Sequence, residues 1–409
     1  MSLSEAKLRE AASIAPSPRQ LAWQELEFYG FIHFGMNTFT GREWGDGRAS
    51  PALFDPARLD PDQWAAAFKS AGMQGLILTC KHHDGFCLWP SAHTDYSVKH
   101  APWKGGRGDV VAETAAACRR AGLKFGVYLS PWDRHDPRYG AGKPYDDYYV
   151  AQLTELLTGY GELFCVWLDG ACGEGPNGRR QVYDWPRYYR TIRALQPGAV
   201  ISVCGPDVRW CGNEAGHCRP SEWSVVPAQL RDAAYTAERS QQADDAAFAR
   251  RVDRTDEDLG SREAIAGAGA LAWYPAEVDT SIRPGWFYHP EEDGRVRTAD
   301  KLLDIYLAAV GGNAALLLNV PPAPDGRWPP LRWWATSGSA GLRRCGPGPS
   351  PSASPRRGPS RPCGCWRPTV NKPSSYPSLY RTHPCPKRTK ASPYPGEAFV
   401  FACRKSDTL

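Results

Sequence analysis

No run among the 409 residues is apolar for long enough to cross a membrane, and the opening MSLSEAKLREAASIAPSPRQ lacks the apolar core of a secretory signal. A cytoplasmic protein without a membrane partner is the expectation. Cysteine pairs at metal-hook spacing are also missing. The 13 cysteines are odd in number and scattered, and the even gaps between Cys204, Cys211 and Cys218 do not make the C-x2-C hooks of a zinc site. Cys80, Cys165 and Cys204 stand in apolar runs and read as small buried hydrophobes. No metal and no cofactor is expected. No internal repeat is visible, which argues against a solenoid or propeller. A basic body is lacking too, despite a net charge of +5: past residue 330 there are 14 Lys/Arg against two acids, and before it 35 against 42. The body is mildly acidic, so the charge balance gives no support to a nucleic-acid partner.

What is present is an ordinary globular composition, 42% hydrophobic and 23% charged, with 16 tryptophans. Such an excess suits a surface that stacks on sugar rings, and equally a large aromatic core. Short apolar runs alternate with amphipathic stretches, the pattern of βα units around a parallel sheet. The runs are Phe28–Phe34, Gly75–Lys81, Lys124–Ser130, Leu163–Asp169, Ala199–Gly205, Leu271–Val278 and Ala314–Val320. An eighth is sought near Ser221–Val226 or Gly285–His289. DPDQWAAAFKSAG and DVVAETAAACRRAG are helices, from caps at Asp60 and Asp109 to stops at Gly72 and Gly122. The expected fold is α/β, a parallel (β/α)8-like (TIM-type) barrel over residues 1–326. Arg239–Arg262 is charge-rich and reads as a helix and loop on the outer ring. Residues 327–409 are rich in Pro, Arg, Ser and Cys with no hydrophobic period, as in a disordered tail or a shifted reading frame.

In a parallel barrel the reactive side chains stand at the C-terminal ends of the strands. His33 ends the first run. His82, His83 and Asp84 follow the second, Tyr128 lies in the third, and Asp169 and Gly170 close the fourth. One polar group at a strand end is usually structural; several on one face point to a pocket.

FIHFGMNTFTGREWG, KHHDGF, FGVYLS, VWLDGA and GGNAALLLNVPP, in this order, resemble the glycoside hydrolase family of retaining α-L-fucosidases over about residues 20–326. The resemblance implies that Asp169 is the nucleophile and that His33, Glu43, Trp44, His82, His83 and Tyr128 line the fucose pocket. It also implies that Trp286, in RPGWFYH, is the apolar wall for the methyl group on C5. The partner would be a fucosylated oligosaccharide or glycoconjugate. Such chemistry needs two carboxyl groups about 5–5.5 Å apart, one attacking the anomeric carbon and one protonating the leaving oxygen. The nucleophile must stay ionised among hydrogen-bond donors, a role open to the imidazoles of His33, His82 and His83.

DVRWCGNEAG resembles the Glu-bearing loop of the subfamily acting on α-1,3- and α-1,4-linked fucose, making Glu214 the expected acid/base, with Glu222 and Glu277 as competitors. Relatives follow the barrel with a β-sandwich, which is not legible here. Two other readings stay open. One is a metal-dependent hydrolase on the same barrel, disfavoured because the first strand gives His33-Phe34-Gly35 rather than H-x-H. The other is a sugar-binding relative without activity, disfavoured because both carboxylates are kept.

Overall fold

Eight parallel strands form one sheet that curls into a barrel: β1 (Phe28–Ile32), β2 (Gly75–Lys81), β3 (Lys124–Leu129), β4 (Cys165–Leu168), β5 (Val200–Val203), β6 (Arg209–Trp210), β9 (Ala276–Ser281) and β10 (Ala314–Asn319). Their order is β5-β4-β3-β2-β1-β10-β9-β6. A single parallel bridge between Ser202 and Val208 joins the two edges. A separate antiparallel ribbon pairs β7 (Val225–Pro227) with β8 (Leu271–Trp273). The structure is a computed structural model, and it describes residues 4–232, 235 and 258–329. Most of Arg239–Arg262, and the expected tail past Pro329, lie outside the described residues.

Apart from β9, whose sequence AEVDTS alternates, the longer strands are largely apolar without alternation because both of their faces are covered. Every residue of β1, β2, β4, β5, β9 and β10 is buried. Helices close the outer face. The Pro61–Ser70 helix is capped by Asp60, whose Oδ1 accepts from the Gln63 amide at 3.1 Å. The Val110–Ala121 helix is capped by Asp109, which accepts from Ala112 at 2.8 Å, and Gly122 ends it at φ 66°. The described cysteines are free thiols, and Cys80, Cys165 and Cys204 are buried in the core, as their apolar settings predicted.

Two strand expectations need correction. The run Leu271–Val278 is two strands, broken at Tyr274-Pro275: its first half joins the ribbon and its second half begins β9. Pro275 has no amide hydrogen to give a ladder, so the chain changes sheets there. The eighth barrel strand is β6, only two residues long, within the segment read as a loop. Val225–Pro227 is a strand outside the barrel, and Gly285–His289 is none. A two-residue strand has no hydrophobic period to read.

Candidate active site

One pocket opens at the C-terminal ends of β1 to β6 and β9. It encloses about 600 Å³ including its open mouth. His33, Trp44, His82, His83, Tyr128, Asp169, Glu214 and Trp286 all line it. Glu43 is the one expected residue that does not. Its carboxylate accepts from the amides of Trp286 (2.8 Å) and Phe287 (3.2 Å) and pairs with His289 Nε2 at 2.7 Å. Glu43 therefore fixes the loop that carries Trp286.

Asp169 is the first residue past β4. The Tyr128 hydroxyl donates to its Oδ2 at 2.9 Å, and the Ala171 amide donates to its Oδ1 at 2.8 Å. His83 Nε2 lies 3.9 Å from Oδ2, too far for a hydrogen bond. The donors that serve this carboxylate are thus a phenol and a backbone amide rather than the expected imidazoles.

The histidines are held in set tautomers. Asn319 donates through Nδ2 to Ser281 Oγ and to the Trp286 carbonyl, so its Oδ1 is the acceptor facing His33 Nδ1 at 3.0 Å. His33 then carries its proton on Nδ1 and presents Nε2 as an acceptor. Ser130 donates to the Trp132 carbonyl and accepts from His83 Nδ1 at 2.7 Å, giving His83 the same tautomer. His82 is the reverse: Asn37 Nδ2 donates to its Nδ1 at 3.3 Å, which leaves Nε2–H as a donor. Burial keeps all three neutral, pushing His33 down to about 3, His83 to about 4, and His82 well below its usual range. Neutral imidazoles of both kinds can take and give hydrogen bonds to hydroxyl groups without placing charge in the pocket.

The KHHDGF turn is aimed by a bulge in β2. Thr79 pairs with Tyr128 and Lys81 with Leu129, so Cys80 is an extra residue. Lys81 is fully buried against Asp133 (2.9 Å) and Gln152 (3.0 Å), which anchors the strand end immediately before His82. Asp84 is not brought into the pocket. It is buried nearby beside Gly45 and Tyr96.

Glu214 sits in a loop after β6. Asn213 Oδ1 accepts from the amides of Ala215 (3.1 Å) and His217 (3.2 Å), and Thr280 Oγ1 donates to the Glu214 carbonyl at 2.9 Å. Its carboxyl accepts from Trp286 Nε1 at 3.0 Å. Removal from water raises Glu214 to about 8, with Asp169 and Glu43 adding repulsion and the Trp286 hydrogen bond opposing. At neutral pH it is a protonated acid beside an aspartate. The two competing glutamates are committed elsewhere. Glu222 is buried between Arg209 (2.8 Å) and Arg219 (3.2 Å). Glu277 is buried among the hydroxyls of Tyr29 and Ser202 and the indole Nε1–H of Trp167.

Trp210, which lies within DVRWCGNEAG but is not among its expected site residues, and Asp279, which no motif marks, also line the pocket. Trp210 Nε1 donates to Asp279 Oδ1 at 2.8 Å. The available signal is the spacing of Glu277 and Asp279, two acids one period apart on a strand that is otherwise barrel core. Val203, at the end of β5 on the pocket wall, holds φ 64°, a strained setting for a β-branched residue.

Comparison with known proteins gives consistent matches. The family model described as Alpha-L-fucosidase matches residues 9–333. Alpha-L-fucosidase 1 of Arabidopsis thaliana is 46% identical over 316 residues, covering 76% of this chain and 56% of the relative. Putative alpha-L-fucosidase 1 of Oryza sativa subsp. japonica is 47% identical over 312 residues, covering 76% and 55%. Among solved structures, a putative alpha-L-fucosidase of Bacteroides ovatus is 50% identical with TM-score 0.71, covering 80% of this chain and 56% of that one. A Ruminococcus gnavus GH29 fucosidase in complex with fucose is 31% identical with TM-score 0.63, covering 77% and 64%. The chain spans about half the length of the curated relatives it matches.

Proposed function

This chain belongs to the α-L-fucosidase family, and we propose that it hydrolyses terminal α-L-fucosyl linkages with retention of configuration, Asp169 acting as nucleophile and Glu214 as acid/base. The observation that carries the reading is the contrast between two carboxyl groups in one pocket. Asp169, at the end of β4, accepts hydrogen bonds from the Tyr128 hydroxyl and the Ala171 amide. Glu214 is held protonated near neutrality. A carboxyl kept protonated by burial suits the acid, which leaves the strand-end carboxylate across the pocket as the nucleophile.

In the first step Asp169 attacks the anomeric carbon while Glu214 gives its proton to the departing oxygen. The glycosidic bond breaks and a fucosyl–Asp169 ester forms. In the second step the ionised Glu214 takes a proton from water, whose oxygen displaces Asp169 from the same carbon. Two inversions give net retention. His33 and His83 accept hydrogen bonds from the ring hydroxyls, and His82 donates one. Trp286 offers its ring to the C5 methyl, where burial of apolar area outweighs any hydrogen bond. The substrate class is a fucosylated oligosaccharide or glycoconjugate, with α-1,3 and α-1,4 linkages favoured by the likeness of the Glu214 loop.

The test is release of L-fucose from α-1,2-, α-1,3- and α-1,4-linked oligosaccharides side by side, with the first-formed anomer read by NMR. Release from the latter two as the α-anomer is expected. The β-anomer first would overturn the covalent mechanism, and preference for the α-1,2 linkage would overturn the linkage assignment.

A further inference from the structure

Glu214 and Trp286 line a second cavity as well as the first. It holds about 650 Å³ including its open mouth, and Arg283, Arg295 and Arg297 line much of the rest. An oxygen protonated by Glu214 must lie against that carboxyl, so the sugar that departs with this oxygen occupies space next to it. The second cavity is space of that kind, adjoining the acid beyond the wall that Trp286 forms.

The three arginines differ in what neutralises them. Arg283 is buried and paired with Asp293 at 2.6 Å, and it also donates to the His289 carbonyl. Arg295 lies 3.5 Å from Glu292. Arg297 donates to the Ala215 carbonyl at 3.1 Å, and among the described residues it forms no ion pair with a carboxylate. Its setting is also electropositive. Burial first, and then the charges of Lys301 and Arg297, hold the nearby His217 below its usual range. Burial alone lowers Arg297 itself, with no acid to offset it. A half-buried guanidinium costs free energy until an anion reaches it, and its planar fork suits two oxygens at once.

We infer that this cavity receives the leaving-group glycan and that Arg297 binds an anionic substituent on it, a carboxylate or a sulfate ester. The inference rests on the fucosidase reading above and adds a substrate class to it: acidic fucosylated glycans.

The full chain carrying Asp169→Ala is titrated by calorimetry with one fucosylated oligosaccharide in three forms: neutral, bearing a sialic acid, and bearing a sulfate ester. At low salt at least one acidic form binds about tenfold more tightly than the neutral form, as one charge-assisted pair in a partly buried site would give. The form that shows the gain identifies the anion. High salt narrows the gap. Adding Arg297→Gln closes it to within about twofold, while Arg297→Lys, which keeps the charge, retains part of it. The affinity for the neutral form reports in each variant whether the Ala215 loop still stands. Equal affinity for all three forms in the chain with Arg297, or a gain that survives Arg297→Gln, overturns the inference. An acidic preference in binding, with no turnover of any form by the unaltered chain, would strike the hydrolytic reading and support the anion site. Turnover of the neutral form with no acidic preference in binding would do the reverse.

Discussion

Trp286 donates its indole hydrogen to Glu214 Oε2 at 3.0 Å, so the pocket's aromatic wall and its proposed acid are mechanically one unit. This bond favours the ionised carboxylate and opposes the burial that raises Glu214 to about 8. Trp286→Phe keeps an aromatic ring and removes the donor. The sign then follows: the pKa of Glu214 rises further and the acid stays protonated to higher pH. The alkaline limb of kcat/KM on a natural glycan should move upward from about 8. A limb that moves downward would show that the bond does not govern this acid.

Asp169→Ala should abolish turnover and leave cooperative unfolding intact, because the side chain ends a strand facing the pocket rather than the core. A fluorinated fucosyl analogue should label the peptide containing Asp169 in the unaltered chain. Label on another carboxylate would reassign the nucleophile.

The barrel and most of its rim were legible because they follow from short-range chemistry. Most of the fully buried strands read as apolar runs, β9 with its Glu277 and Asp279 excepted, and Asp60 and Asp109 mark the starts of their helices. His33, His82, His83 and Asp169 are strand-end residues, and the strand ends were visible. Three things escaped. β6 is too short to show a period. Glu43 has the composition of a ligand contact, yet its carboxylate turns to backbone amides of a loop more than 240 positions away. The sequence suggested histidines as the donors to Asp169, whereas their tautomers are set by Asn319, Ser130 and Asn37. Those partners are brought in by tertiary contacts that no local pattern encodes.

Lys81 and Asp133 form an ion pair with both side chains fully buried. Removing one partner strands the other charge in the core, so Lys81→Met should destabilise the chain by about 3–5 kcal/mol. Chemical denaturation checks it. The double variant Lys81→Met with Asp133→Leu should recover part of the loss. If Lys81→Met costs under about 1 kcal/mol, water or a neighbour must be neutralising Asp133.

Glu277 makes stability depend on pH. Burial raises it from 4.5 to about 7 even though Tyr29, Trp167 and Ser202 donate to it. A raised carboxyl pKa means the folded state holds a proton that the unfolded state has released. The stabilisation is complete below about 4.5 and is lost as pH rises through about 7. Glu277→Gln has no such proton, so between pH 5 and 8 it should gain on the unaltered chain by about 2–3 kcal/mol. His33 and His83 are lowered and act in another window: their contribution is lost as pH falls from 6.5 toward 3–4, and it is unaffected by this substitution. Parallel stability curves for the two chains from pH 5 to 8 would mean that Glu277 is ionised throughout.

Glu214→Ala tests the assignment of the proton donor. Acid catalysis matters in proportion to how poor the leaving group is. Turnover of a natural glycan, whose sugar alkoxide must be protonated, should therefore fall far more than the first step on an aryl fucoside with an acidic phenol. In that variant water attacks the fucosyl–Asp169 ester without a base, so the second step becomes limiting and the ester accumulates. Azide needs no base. It should restore the rate and yield fucosyl azide of the same anomeric configuration as the substrate, because it enters opposite Asp169 in the second of two inversions. Glu277 and Asp279 are the control carboxyls: Glu277 is enclosed by its three donors, and Asp279 shares the pocket but is tied to Trp210. If Glu277→Ala or Asp279→Ala shows this leaving-group dependence and azide rescue while Glu214→Ala does not, the acid/base is misassigned.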